Sequence, residues 1–224
     1  MVYVMADIHG MQDYFDDVLE QIQLREEDTL YILGDVVDRG PDGIPLLLRI
    51  LRMENVKLLL GNHEHMMLQA LEHPTHQHLR LWYHNGGECT HEDFLRCSPA
   101  EQEALLNFLR GLPLNLSLTV AGRAYLLVHG APADWYEPGR RSHFRSQAEF
   151  AVWERLQPGS WREEHRTLLF GHTPTRFYQH VYPLEIWRWK TMVGLDCGCA
   201  MGRRGRLACL RLDDQAVFYS RGQL

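Results

Sequence analysis

No stretch of the chain approaches the ~20 consecutive apolar residues that cross a bilayer, so a membrane is not an expected partner. Positive charge is scarce as well. Against 29 Asp and Glu stand 23 Lys and Arg, a formal net charge of -6, so no global field draws nucleic acid or anionic lipid. A local site can still hold a phosphorylated substrate. The 5 cysteines (Cys89, Cys97, Cys197, Cys199, Cys209) are odd in number and form no CxxC pair. That pattern fits reduced cytosolic thiols. The first residues, MVYVMADIHG, carry neither a basic segment nor a small-residue cleavage site, so no secretory leader is expected and the cytoplasm is the expected compartment. Repeats, low-complexity tracts and linkers are missing too, and one domain over residues 1–224 is expected.

What the chain does have is alternation. VYVMA (2–6), TLYILG (29–34) and VKLLL (56–60) read as short buried strands. MQDYFDDVLEQIQL (11–24), IPLLLRILRM (44–53) and EHMMLQALEH (64–73) have helical spacing. The run predicts a βαβαβ half with a parallel sheet and right-handed crossovers. Ser98-Pro99-Ala100-Glu101 predicts a capped helix to Arg110. LNLSLTVA, AYLLVHG, RTLLFGH, RLACLRL and AVFYS predict a strand-rich C-terminal half, mostly antiparallel, interrupted by a helix at SQAEFAVWERL (146–156). The fold class is α/β.

Each early strand ends in a polar cluster: Asp7-Ile8-His9-Gly10, then Gly34-Asp35 to Asp38-Arg39-Gly40, then Gly61-Asn62-His63-Glu64. Two later strands end in Val128-His129-Gly130 and Phe170-Gly171-His172. Open parallel sheets gather ligands outside the carboxyl ends of their strands, so these clusters should converge. Singly, each would read as a cap or a turn. Together, aspartate, asparagine and imidazole without thiolate suit two ions such as Mn²⁺, Fe or Zn²⁺. Paired ions polarise a phosphoryl oxygen and activate water for in-line displacement at phosphorus.

DIHG, GDVVDRG, GNHE, VHG and FGHTP, in this order, resemble the calcineurin-like metallophosphoesterases, and within them the phosphoprotein phosphatase branch with its compact bacterial and phage-type serine/threonine phosphatases. The resemblance implies a mixed β-sandwich flanked by helices. It implies Asp7 and His9 on a first metal, Asp35 bridging, and Asn62, His129 and His172 on a second. His63 would be the general acid, oriented by Asp38, with Arg39 and Arg155 on the phosphate. The implied substrate is a phosphomonoester, phosphoserine or phosphothreonine in proteins. The alternative is a nucleotide or dinucleoside tetraphosphate phosphoesterase. Such protein phosphatases usually carry arginine just before GNH, where Leu60 stands. The tetraphosphatases resemble LGNH but tend to lack the aspartate that stands as Asp38.

Outside that set the expectations are modest. Glu64 and His65 open a helix. His73, His76 and His78 lie in a solvated loop. Cys197 and Cys199 are packed thiols, and Ile186-Trp187-Arg188-Trp189 is a hairpin face. The loop 131–144, through Trp135, Tyr136, Arg140 and Arg141, rims the pocket.

Overall fold

In the computed structural model, which describes residues 1–139, 143–182, 184–202 and 204–221, the early alternation becomes β1 (Val2–Met5), α1 (Gln12–Ile22), β2 (Thr29–Ile32), α2 (Gly43–Arg52), β3 (Val56–Leu58) and α3 (Asn62–Glu72). Three helices follow: α4 (His76–His84), α5 (Glu88–Arg96) and α6 (Pro99–Arg110). The remaining elements are β4 (Asn115–Val120), β5 (Arg123–Val128), α7 (Gln147–Trp153), β6 (Arg166–Phe170), β7 (Trp187–Trp189), β8 (Met192–Gly194), β9 (Ala208–Arg211) and β10 (Val217–Tyr219).

They build two five-stranded sheets, β10-β9-β1-β2-β3 and β4-β5-β6-β8-β7. Alternation along each strand assigns its two faces. From β1, Tyr3 and Met5 pack under the α1–α3 side, with Phe15, Val18 and Leu47. Val4, with Ala6 and Leu33, faces the other way and meets Tyr125, Leu127 and Leu169 between the sheets. Leu126, Val128 and Phe170 face outward onto Phe150 of α7. The order of layers is therefore helices, sheet, sheet, helix. Each fully buried Leu or Phe contributes roughly 1.5–3 kcal/mol of transfer energy, so strands apolar on both faces belong inside such a sandwich.

β1, β2 and β3 pair in parallel, as the alternation predicts. The second sheet is mixed rather than mostly antiparallel: β5–β6 and β6–β8 are parallel. The connection from β5 to β6 carries α7, and a crossover of that length returns a strand in the same direction. α6 starts at its expected cap, Ser98, with the reciprocal Glu101 bond present. His76 and His78 are not in a loop but open α4, because Thr75 accepts the His78 N–H and caps it. α7 ends at Trp153, so Arg155 follows the helix instead of riding on it. Its last carbonyls are claimed from outside: Ala151 accepts the N–H groups of Gly130 and Ala131, and Trp153 accepts from His172. Among the described residues no helix is long and apolar enough to cross a membrane.

Candidate metal centre

Five strand ends converge on one cleft of about 490 Å3, which His9, Asp35, Arg39, Asn62, Arg155 and His172 line. The backbone there is strained. Asp7, His9, Asp35, Asp38, Arg39 and His172 all have φ between 51 and 73°. Each such non-glycine residue costs ~1–3 kcal/mol and persists only where its surroundings dictate it. Much of that dictation comes from Glu64. Its carboxylate accepts the N–H groups of Asp35, Val36, Val37 and Gly61 at 2.8–3.2 Å, locking the Asp35 turn against the start of α3. Burial, followed by the Asp35 charge, pushes Glu64 up to about 7. The helix-opening expectation for Glu64 holds, and the residue also braces the site. Gly61 leaves no room for anything larger: a Cβ there would lie 2.3 Å from Oδ1 of Asp35.

The tautomers decide what the centre can hold. Nδ1 of His129 donates to the Leu33 carbonyl at 2.6 Å, so its Nε2 presents a lone pair. That nitrogen lies 2.9 Å from Oδ1 of Asn62 and 3.4 Å from Oδ1 of Asp35. His172 donates from Nε2 to the Trp153 carbonyl, and its Nδ1 lone pair lies 2.8 Å from the same Asn62 oxygen. Burial lowers the pKa of both imidazoles, so no ring proton enters the gap. Lone pairs from His129, His172, Asn62 and Asp35 thus face one another, an arrangement that suits a cation. His9 repeats the pattern, with Nδ1 on the Val37 carbonyl and Nε2 3.8 Å from Oδ2 of Asp35. Asp35, His9 and His63 form one compact donor group, and Asp35, His129 and His172 another. Asp35 belongs to both groups. Asp7 belongs to neither group; its carboxylate accepts the His172 N–H at 3.0 Å. Burial, then Asp196 and Asp35, raises its pKa well above the usual range.

His63 is buried, with Nδ1 2.6 Å from Oδ2 of Asp38. Burial works against its charged form, but Asp35 and Asp38 outweigh that and raise its pKa. Arg39 reaches Nε2 of His9 at 2.8 Å and Nε2 of His63 at 3.0 Å. Arg155 donates to the His172 carbonyl and to Thr173 Oγ1. Leu60 is 6% exposed and its N–H is tied to the Pro113 carbonyl, so that position offers the cleft no charge.

Sequence reading missed four contributors. Trp82 is fully buried and donates to both oxygens of Asp38. Asp196 is a further buried carboxylate of the cleft, and Arg176 with the exposed Phe177 lines the cleft mouth. Their only local cues are the Asn85-Gly86-Gly87 turn after Trp82 and the Asp196-Cys197-Gly198 turn. Conversely, Trp135 and Tyr136 do not rim the cleft: they pack on Trp161 and Phe150, filling the outer core. Arg140 and Arg141 lie outside the described residues. Trp187 is a buried hairpin residue stacked on Tyr178, and Cys197 and Cys199 are buried thiols.

The calcineurin-like phosphoesterase family matches residues 1–199, and the chain belongs to it. A symmetrical bis(5'-nucleosyl)-tetraphosphatase of Paracidovorax citrulli is 29% identical over 192 residues, covering 84% of this chain and 62% of that protein. Serine/threonine-protein phosphatase 1 of Salmonella typhimurium is 30% identical over 185 residues, covering 78% of this chain and 79% of its own. This chain thus spans only about three fifths of the length of the tetraphosphatase it resembles. Among solved structures, a candidate diadenosine tetraphosphatase superposes with a TM-score of 0.64 at 20% identity, covering 99% of this chain and 93% of that one, which shows the shared fold.

Proposed function

We propose that the chain is a metal-dependent phosphatase that hydrolyses phosphomonoesters with basic leaving groups, phosphoserine and phosphothreonine in proteins foremost. The observation that carries this reading is the buried His63–Asp38 pair, 2.6 Å apart. A phosphoanhydride releases a phosphate oxygen that needs no proton, whereas an alkoxide must be protonated as it departs. A carboxylate-held acid has its use in the second case.

Asp7, His9 and Asp35 would hold one divalent ion, and Asp35, Asn62, His129 and His172 the other. The oxygen and imidazole donors suit Mn²⁺, with Fe or Zn²⁺ as alternatives. Bound there, the ions would polarise the phosphoryl oxygen and make water nucleophilic near neutral pH. Arg39 and Arg155 would grip the outer phosphate oxygens, as planar guanidinium groups do. Arg39 must leave Nε2 of His63 for this, which frees that nitrogen to carry a proton. The water oxygen bonds to phosphorus as the ester P–O bond breaks, and His63 passes the proton on Nε2 to the departing oxygen. The proton shed by water restores His63. Ester and water become alcohol and inorganic phosphate. All five cysteines are unpaired, which supports a reducing compartment, the cytoplasm.

A second reading is a nucleotide phosphoesterase, favoured by Leu60 and by the tetraphosphatase among the relatives. Arg176 and Phe177 at the cleft mouth suit a second phosphate and a base. A side-by-side panel separates the two. With Mn²⁺, the first reading expects phosphate release from p-nitrophenyl phosphate and a phosphothreonine peptide. Fast turnover of diadenosine tetraphosphate with an untouched peptide would establish the second instead.

A further inference from the structure

We infer that Trp82 is a positioning residue for the proton donor, and that the α4–α5 hairpin carrying it sets how strongly the rate depends on the leaving oxygen. The inference rests on the phosphatase reading above and deepens it. Trp82 is 0% exposed, and its indole N–H lies 3.0 Å from both Oδ1 and Oδ2 of Asp38. A buried indole N–H needs one acceptor, and any backbone carbonyl would satisfy it. Here the acceptor is the carboxylate that holds His63. Sharing the N–H equally between the two oxygens fixes the plane of that carboxylate as well as its place. The His63 ring, bound to Oδ2 alone, inherits its direction from that plane.

The same hairpin holds the backbone beneath. Thr90 Oγ1, from α5, accepts the Asp38 N–H at 3.0 Å, and the Gly86 carbonyl accepts the Arg39 N–H at 3.0 Å. These contacts impose the left-handed φ of 73° at Asp38, which would relax without them. Gly87 completes the fit, because a Cβ there would sit 2.1 Å from the indole nitrogen. Trp82 comes 44 residues after its carboxylate, and both hydrogen bonds of its indole N–H go to Asp38, so its polar influence on His63 runs through that carboxylate.

A positioned acid matters most for the most basic leaving group. The test is a kinetic series in Mn²⁺-loaded protein running from 2,4-dinitrophenyl phosphate to phenyl phosphate and a phosphothreonine peptide, for wild type and Trp82→Phe. Trp82→Phe keeps the ring and removes the donor. We expect kcat for phenyl phosphate and the peptide to fall by about 10–10²-fold, part of the 10²–10⁴ a general acid supplies, with KM held. Turnover of 2,4-dinitrophenyl phosphate should stay at the wild-type rate, giving a steeper leaving-group dependence. Thr90→Val, which removes a second contact of the hairpin to Asp38, should shift the series the same way and keeps the question answerable if Trp82→Phe fails to fold. An equal loss on every substrate, or no loss on any, overturns the positioning role. A wild-type protein inert on the whole series would instead sink the phosphatase reading, and this inference with it.

Discussion

Nη1 of Arg39 lies 2.8 Å from Nε2 of His9, the nitrogen that the metal reading assigns to the first ion. One guanidinium thus occupies the lone pair a metal would need, while its other arm covers His63. Metal binding has to displace it. Arg39→Met should therefore tighten Mn²⁺ binding by about tenfold, the worth of one charge-assisted hydrogen bond, as read by isothermal titration calorimetry. The same variant should bind inorganic phosphate more weakly. Looser Mn²⁺ binding would mean that Arg39 supports the site instead of competing for it.

Asp196 adds a pH-dependent cost to the centre. Burial, opposed by the Gly198 N–H and reinforced by Asp35, pushes its pKa from 3.8 up to about 6. With the folded value above the unfolded one, the folded chain holds the proton more tightly, so ionisation costs stability. That cost is absent below about pH 4 and complete above about pH 7. In metal-free protein, Asp196→Asn should raise stability by roughly 3 kcal/mol at pH 8 and leave it unchanged at pH 4, measured by urea unfolding. Asn can keep the Gly198 N–H bond, so the comparison isolates the charge. A gain that is equal at both pH values would contradict this.

Glu64 holds four backbone N–H groups with one carboxylate, and nothing else in the turn replaces it. Glu64→Ala should cost about 3–5 kcal/mol, because buried donors lose a charged acceptor together. Thermal unfolding of the metal-free protein gives the number. Since Asp35 rides on that turn, the variant should also lose Mn²⁺ binding even where it stays folded. Retained metal at full occupancy would show that the Asp35 turn stands without it.

Most of the residues that meet in the cleft are legible because they sit in short local motifs at the ends of apolar strands. Asp35, Asn62, His129 and His172 could be found by asking which buried strands stop on a ligand-type residue, and the parallel pairing of β1, β2 and β3 brings such ends together. Asp7 is legible as a strand-end carboxylate, though the His172 N–H it accepts is not. Trp82 stayed hidden since its meaning depends on Asp38, distant in sequence and joined only by packing. Periodicity alone carries α7 on through Arg155, whereas the helix yields its last carbonyls to Gly130, Ala131 and His172. The mixed second sheet was also beyond reach, as strand direction there follows from a crossover and not from strand composition.

In the proposed mechanism His63 donates a proton and holds no metal. Turnover of a phosphothreonine peptide by His63→Asn, with metal content measured on the same sample, tests it most directly. The expected result is a fall in kcat of roughly 10²–10⁴ with Mn²⁺ occupancy equal to wild type. Unchanged turnover, or a loss that tracks missing metal, would contradict it.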